Sequence, residues 1–241
     1  MYAAEDRQWW YAGMRAISFG LLDAALRAEG GAAKAAPRLF LDAGCGTGFN
    51  LQHLATRGRA IGIDLSAEAV RFCLSREVTV VRGSVLSLPF AAATFDGLLS
   101  FDVLYHAWVT DDRAATRELA RVLRPRGLLL VRVPALEVLW GAHDEAVHSR
   151  HRYTAAELRA LLEAAGLEVV RLTYCNTILF PLLLVRRTLD RLAARHGSDV
   201  EFLPAPLERA FRHALLLEAA LIRHGLRLPV GASLLALARK P

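Results

Sequence analysis

The stretch Leu41-Asp42-Ala43-Gly44-Cys45-Gly46-Thr47-Gly48 constrains this chain more than any other. It places three glycines at alternate positions behind an aspartate. Glycine loses more backbone entropy on folding than any other residue. Three so close together are worth that cost where the backbone must turn tightly or come near something else. The apolar run Leu39-Phe40-Leu41 in front of them reads as a buried strand, and residues 49–57 suit a helix. Strand, glycine turn and helix together open a βαβ unit.

The rest of the chain repeats the alternation. Residues 9–26 carry apolar side chains at helical spacing, and 30–37 read as a joint. Further strands are expected at 60–66, 78–84, 94–102, 127–134, 167–174 and 232–239. Helices are expected at 67–76 and at 111–123, the latter stopped by Pro125 and Gly127. Another is expected from the cap Thr154 to Ala165, with Gly166 at its end. Alternation of this kind predicts an α/β fold with a mostly parallel sheet and helices on both faces. The 241 residues fit one domain, 1–241, with 1–30 as an N-terminal cap helix. The ligand of such a sheet binds outside the carboxyl ends of its strands.

Composition narrows the setting. The longest apolar run, 178–185, is far too short to span a bilayer. Glu5 and Asp6 do not fit a signal peptide. Cys45, Cys73 and Cys175 form no CxxC, which points to a reduced, cytoplasmic protein. Of the 30 basic residues only Lys34 and Lys240 are lysines, as expected of a GC-rich bacterial source. The net charge of +6 permits an anionic partner: nucleic acid, a phosphorylated substrate or a membrane surface.

Asp64 ends the second strand 22 residues after Asp42, the place from which a carboxylate accepts hydrogen bonds from two ribose hydroxyls. A nicotinamide dinucleotide would fit that much. The spacing, however, is GxGxG and not GxGxxG, and Asp42 sits directly before the loop. A carboxylate there repels a pyrophosphate and attracts an ammonium or sulfonium. A cationic nucleoside, S-adenosyl-L-methionine, fits better.

At this point the chain resembles the class I S-adenosylmethionine-dependent methyltransferases. LDAGCGTG is similar to the family's first motif and IGIDLS to its second acidic motif. VRGSVLSLPFAAATFDGLLS resembles its adenine-contacting and fourth-strand region, and ELARVLRPRGLLLVRVP its following helix, turn and fifth strand. EDRQWWYAGMR resembles the tryptophan-rich opening of a bacterial, small-molecule subset. The resemblance implies a Rossmann-like seven-stranded sheet of order 3-2-1-4-5-7-6, the seventh strand antiparallel. It implies cofactor contacts from Asp42, Gly44, Cys45, Gly46, Gly48, Asp64, Leu65, Ser84, Val85 and Phe101. Ser84 replaces the family's usual acidic residue, which moves adenine recognition toward backbone groups of Ser84 and Val85. Trp10 and Arg15 would cover the cofactor, Arg15 on its carboxylate; packing of the tryptophans on the core is the alternative.

On the acceptor side, FDVLYHAW follows the fourth strand and puts Asp102, Tyr105 and His106 near the methyl donor. His106 or His143 is a candidate base, and Tyr105 a candidate catalytic neighbour. The segment 143–153 gathers histidines with Asp144, Arg152 and Tyr153, which with Tyr11 are candidate substrate contacts. It has no HExxH spacing, and no metal is expected. Residues 176–228 form a helical insertion between the last two strands, expected to hang over the active-site edge. Its apolar and arginine-rich part, 178–195, permits a lid, a homodimer face or peripheral contact with the inner membrane.

The reaction implied is displacement at a sulfonium methyl by an O, N or C nucleophile of a small molecule or a lipid- or glycan-linked acceptor. Nucleic acid is not expected, because SFDVL replaces an NPPY-like element and no Pro-Cys pair is present. A non-catalytic S-adenosylmethionine-binding partner protein and a nucleic-acid methyltransferase are the alternatives.

Overall fold

The computed structural model describes residue 5 and residues 8–28, 37–192 and 203–241. In chain order the elements are α1 (Trp9–Ala28), β1 (Leu39–Ala43), α2 (Phe49–Ala55), β2 (Arg59–Asp64), α3 (Ala67–Ser75), β3 (Val80–Arg82), β4 (Phe95–Phe101) and α4 (Asp112–Val122). Then come β5 (Leu123–Pro134), α5 (Ala142–Ala146), α6 (Ala155–Ala164), β6 (Glu168–Cys175), α7 (Phe180–Leu192), α8 (Ala205–Arg223) and β7 (Ser233–Arg239). The joint expected at 30–37 lies outside the described residues except for Pro37.

The caps explain the helix starts. The Ser66 hydroxyl accepts from Ala69 N at 3.3 Å, and Asp111 accepts from Ala114 N at 3.0 Å. Thr154 and Glu157 cap one another's backbone N–H groups at the start of α6. Pro125 and Gly127 do not separate helix from strand. β5 begins at Leu123, paired with Phe95, and its register shifts before Leu128 pairs with Gly97. The irregular stretch absorbs the proline, as strand bulges do.

The sheet order is β3-β2-β1-β4-β5-β7-β6, with β7 antiparallel to both neighbours and the other pairs parallel. Alternate strand residues face opposite layers. Phe40, Leu99, Leu130 and Leu235 pack with α1, α2 and α8; Leu41, Leu98, Leu129 and Leu234 pack with α4 and α6.

Of the insertion expected over the active-site edge, the part that forms α8 packs into the helical layer against α1. α8 is a working helix of the first layer. Leu215 and Ile222 are fully buried, and a Cβ on Gly13 of α1 would lie 2.4 Å from Leu215. Trp9 packs edge-on against Phe211 and donates its backbone N–H to Glu208 Oε2 at 3.0 Å. α7 leaves the carboxyl end of β6 and lies against the 3-10 turn Glu137–Leu139. Ile178, Leu182, Val185 and Leu189 are exposed there, but Arg187 is buried and Arg186 pairs with Asp190. No helix among the described residues is long and apolar enough to cross a membrane.

Candidate active site

β1 delivers the chain to the glycine loop at the carboxyl edge. Gly44 has φ 84° and Gly46 φ 52°, values that side-chain-bearing residues avoid. The two serve different ends. A Cβ on Gly44 would strike Val103 at 2.2 Å, whereas a Cβ on Gly46 would meet nothing within 4 Å. Gly44 is there for packing, and Gly46 keeps an open approach to the loop. The loop is pinned to β2, since Gly44 N and Cys45 N donate to Ile63 O at 2.8 and 3.0 Å. Gly48 caps α2. Cys45 Sγ lies 3.8 Å from Cys73 Sγ, both as free thiols.

Two carboxylates flank the loop. Asp64 accepts from Gly46 N and Ser66 N, each at 2.9 Å, one bond per oxygen. Each oxygen keeps acceptor capacity. Asp42 is 1% exposed, and its Oδ2 has no partner among the described residues. Burial pushes its carboxyl up to about 7, the Asp64 charge adds to the rise, and Arg132 opposes it. A buried acceptor without a donor is costly unless a ligand supplies one. These two acceptors and the open side of Gly46 fit a cationic nucleoside. Leu65 offers exposed apolar surface beside Asp64, and Val85 is buried. The Ser84 hydroxyl accepts from Leu86 N at 3.2 Å, so it closes its own turn.

Glu5 and the start of α1 reach the same place. Glu5 is buried on the glycine loop, where it accepts from the Thr47 hydroxyl and lies 3.5 Å from Arg76. Arg15 donates to the Glu5 carbonyl at 3.0 Å and stacks 4.2 Å over the Phe49 ring. Trp10 and Phe101 lie 5.3 and 4.7 Å from the Arg132 guanidinium. Arg132 is 5% exposed and paired with Asp102, whose φ is 59°. Tyr11 is pushed up to about 12 by burial and then by the Glu5 and Asp102 charges. Arg132, Glu5 and Thr47 were not among the sequence candidates. Arg132 had a usable signal, a charge inside the apolar run of β5 that needs a buried partner.

Tyr105 is pushed up by burial and then by Asp102. His106 is pushed down by burial and then by His148, whose ring centroid lies 6.1 Å away, while Asp64 pulls the other way. His106 Nδ1 accepts from Trp108 N at 3.3 Å. A neutral imidazole so held carries its proton on Nε2, and there it is a donor.

The segment 143–153 behaves differently. Part of it folds as α5. Arg152 grips the buried Asp144 through Nε at 2.9 Å and Nη2 at 3.0 Å, and Asp144 also accepts from Gly141 N at 2.9 Å. Tyr153 is 2% exposed and donates to Asp112 at 2.8 Å. The substrate roles read into Asp144, Arg152 and Tyr153 are corrected on this ground: their polar groups are already used inside the fold. His143 differs, being half-buried with Nδ1 unpartnered among the described residues. No three His, Cys, Asp or Glu side chains among the described residues are grouped as a metal would require.

Comparison with known proteins bears on the family and the fold. The family described as "Methyltransferase domain" matches residues 41–131. A probable S-adenosylmethionine-dependent methyltransferase of Mycolicibacterium smegmatis is 32% identical over 201 residues, covering 79% of this chain and 73% of that one. Another, of Mycobacterium tuberculosis, is 34% identical over 168 residues, covering 68% of this chain and 58% of its own length. This chain therefore spans less than two thirds of that second relative. Among solved structures, a chain described as "Complex between the Haloferax volcanii Trm112 methyltransferase activator and the putative methyltransferase" superposes with a TM-score of 0.61 at 21% identity, over 99% of this chain and 92% of that one.

Proposed function

The chain belongs to the class I S-adenosylmethionine-dependent methyltransferases, and on that premise we propose that it methylates an O, N or C nucleophile of a small molecule or of a lipid- or glycan-linked acceptor. Its cofactor is S-adenosyl-L-methionine, which supplies an activated methyl group on a sulfonium. The observation that carries the reading is the buried oxygen of Asp42, unpartnered among the described residues, at the start of the loop whose Gly46 has an open flank. Asp42 holds the cofactor's cationic end and Asp64 its ribose hydroxyls, with Leu65, Ser84 and Val85 along the base.

The acceptor side is assigned to Tyr11 and Tyr105, which feel the charges of the Asp102–Arg132 pair, together with His106, next to Tyr105 in the chain, and His143. The phenols of Tyr11 and Tyr105 stay protonated at neutral pH, because both are pushed upward. They therefore orient the acceptor as donors. His106, pushed downward, stays neutral there, and its Nε2–H can hold a hydroxyl in line through one of that oxygen's two lone pairs. We place the enzyme in a bacterial cytoplasm; the free thiols and the mycobacterial relatives support this.

Labelled S-adenosylmethionine incubated with separate small-molecule, lipid and RNA fractions tests the proposal. Label should pass to a small-molecule or lipid fraction. Label in RNA alone would overturn the acceptor class. Cofactor binding without transfer to any fraction would favour a binding partner over an enzyme.

A further inference from the structure

α8 turns two of its sides to solvent, and they differ in kind. Leu207, Ala210, Ala214, Leu217 and Leu221 recur at three- and four-residue spacing, which aligns them along one flank of the helix. Leu217 is 54% exposed and Leu207 46%. Beside this stripe Arg209, Arg212, His213, Arg223 and His224 are all exposed. Neither carboxylate of the helix reaches that surface. Glu208 is held by Trp9 N and Leu203 N, and Glu218 is fully buried, accepting from Thr177 N and Ile178 N at 2.7 Å. The outward face of α8 is thus cationic beside aliphatic, with no negative side chain among the described residues. The turn beyond it continues the pattern with exposed Leu226 and Arg227.

We propose that this face docks the chain on an anionic lipid surface, the arginines among headgroups and the leucine flank in the acyl boundary. The complementarity is of charge and of polarity together. RNA would use the arginines but not an aliphatic stripe, and the one Phe, Tyr or Trp of the helix, Phe211, is turned to Trp9. A second copy would have to oppose this face to itself, bringing like charges together. The docking helix also reaches the active-site edge. Its N-terminal end holds Trp9, next to the Trp10 that covers Arg132. This differs from the basic part of 178–192, where Arg187 is buried and Arg186 is paired. The inference does not depend on methyl transfer.

Co-sedimentation of the full chain with phosphatidylcholine vesicles, with and without phosphatidylglycerol, tests it. Binding is expected only to the anionic vesicles and should weaken with salt. Arg209→Gln/Arg212→Gln/Arg223→Gln should weaken it about 100-fold. Leu217→Ser/Leu221→Ser should also weaken it, although no charge changes. S-adenosylmethionine binding, measured on the same variants, should be unchanged and shows that they are folded. Equal sedimentation with neutral and anionic vesicles would overturn the proposal, and so would no sedimentation with either. So would RNA binding that the arginine variant loses and the leucine variant keeps, with no vesicle binding. A wild-type dimer in sedimentation equilibrium that Leu217→Ser/Leu221→Ser dissociates would assign the face to a second copy instead.

Discussion

Asp42 and Asp144 are both buried aspartates at the carboxyl edge of one sheet, 1% and 2% exposed, yet they do opposite things. Asp144 is gripped twice by Arg152 and once by Gly141 N. Asp42 keeps an oxygen with no partner among the described residues, and burial pushes its carboxyl up to about 7. The difference lies in what each is offered. Asp42 precedes a loop whose Gly46 leaves room for something else, and Asp144 sits in a five-residue helix that closes over it. An acid whose hydrogen bonds are filled supports the fold, and one left open in a buried place is available to a ligand.

Breaking the closed site should cost the most. Arg152→Ala leaves Asp144 buried without its partner, and about 3–5 kcal/mol of stability should be lost; urea denaturation reads this. Its cofactor affinity, measured on folded protein, should stay within about twofold. Unchanged stability would erase the distinction between the regions. Asp64→Ala should do the reverse. Each lost hydrogen bond to a charged acceptor is worth about 1.5–3 kcal/mol, so S-adenosylmethionine affinity in calorimetry should fall at least about tenfold, with the fold intact by circular dichroism.

A smaller effect follows from pH. The folded protein holds the Asp42 proton at pH values where an unfolded chain has lost it, because the carboxyl is raised from 3.8 to about 7. In the ligand-free protein this group's contribution to stability therefore declines as pH rises through that window. A cationic ligand needs the ionised form, so affinity should drop about tenfold, roughly 1.4 kcal/mol, from pH 8 to pH 6. Asp42→Asn should flatten that slope while binding weakly throughout. A wild-type affinity independent of pH would remove Asp42 from the site. Smallest of all, His106→Ala removes one donor. It should lower turnover about fivefold, on the order of 1 kcal/mol, with cofactor affinity unchanged. A much larger loss would restore His106 as the base.

The open region was readable in the sequence because its features are local. Alternate glycines, a strand-end acid and a second acid 22 residues on lie within two adjacent βα units. The closed region was misread for the complementary reason. Asp144 and Arg152 stand eight residues apart, and nothing local says that the chain between them folds back so that they neutralise each other. The same holds for α8. Its packing depends on Gly13 accepting Leu215, a contact across some two hundred residues. Arg132 lay between the two cases: its burial could be foreseen from the apolar run around it, but its partner Asp102, thirty residues earlier, could not.

Amide hydrogen exchange on the full chain, with and without S-adenosylmethionine, sets the two regions side by side in one measurement. Added protection is expected at 43–48 and 64–66, with 142–153 unchanged. Protection at 142–153 with none in the glycine loop, or equal protection of the loop by NADH, would contradict the assignment of the cofactor to Asp42 and Asp64.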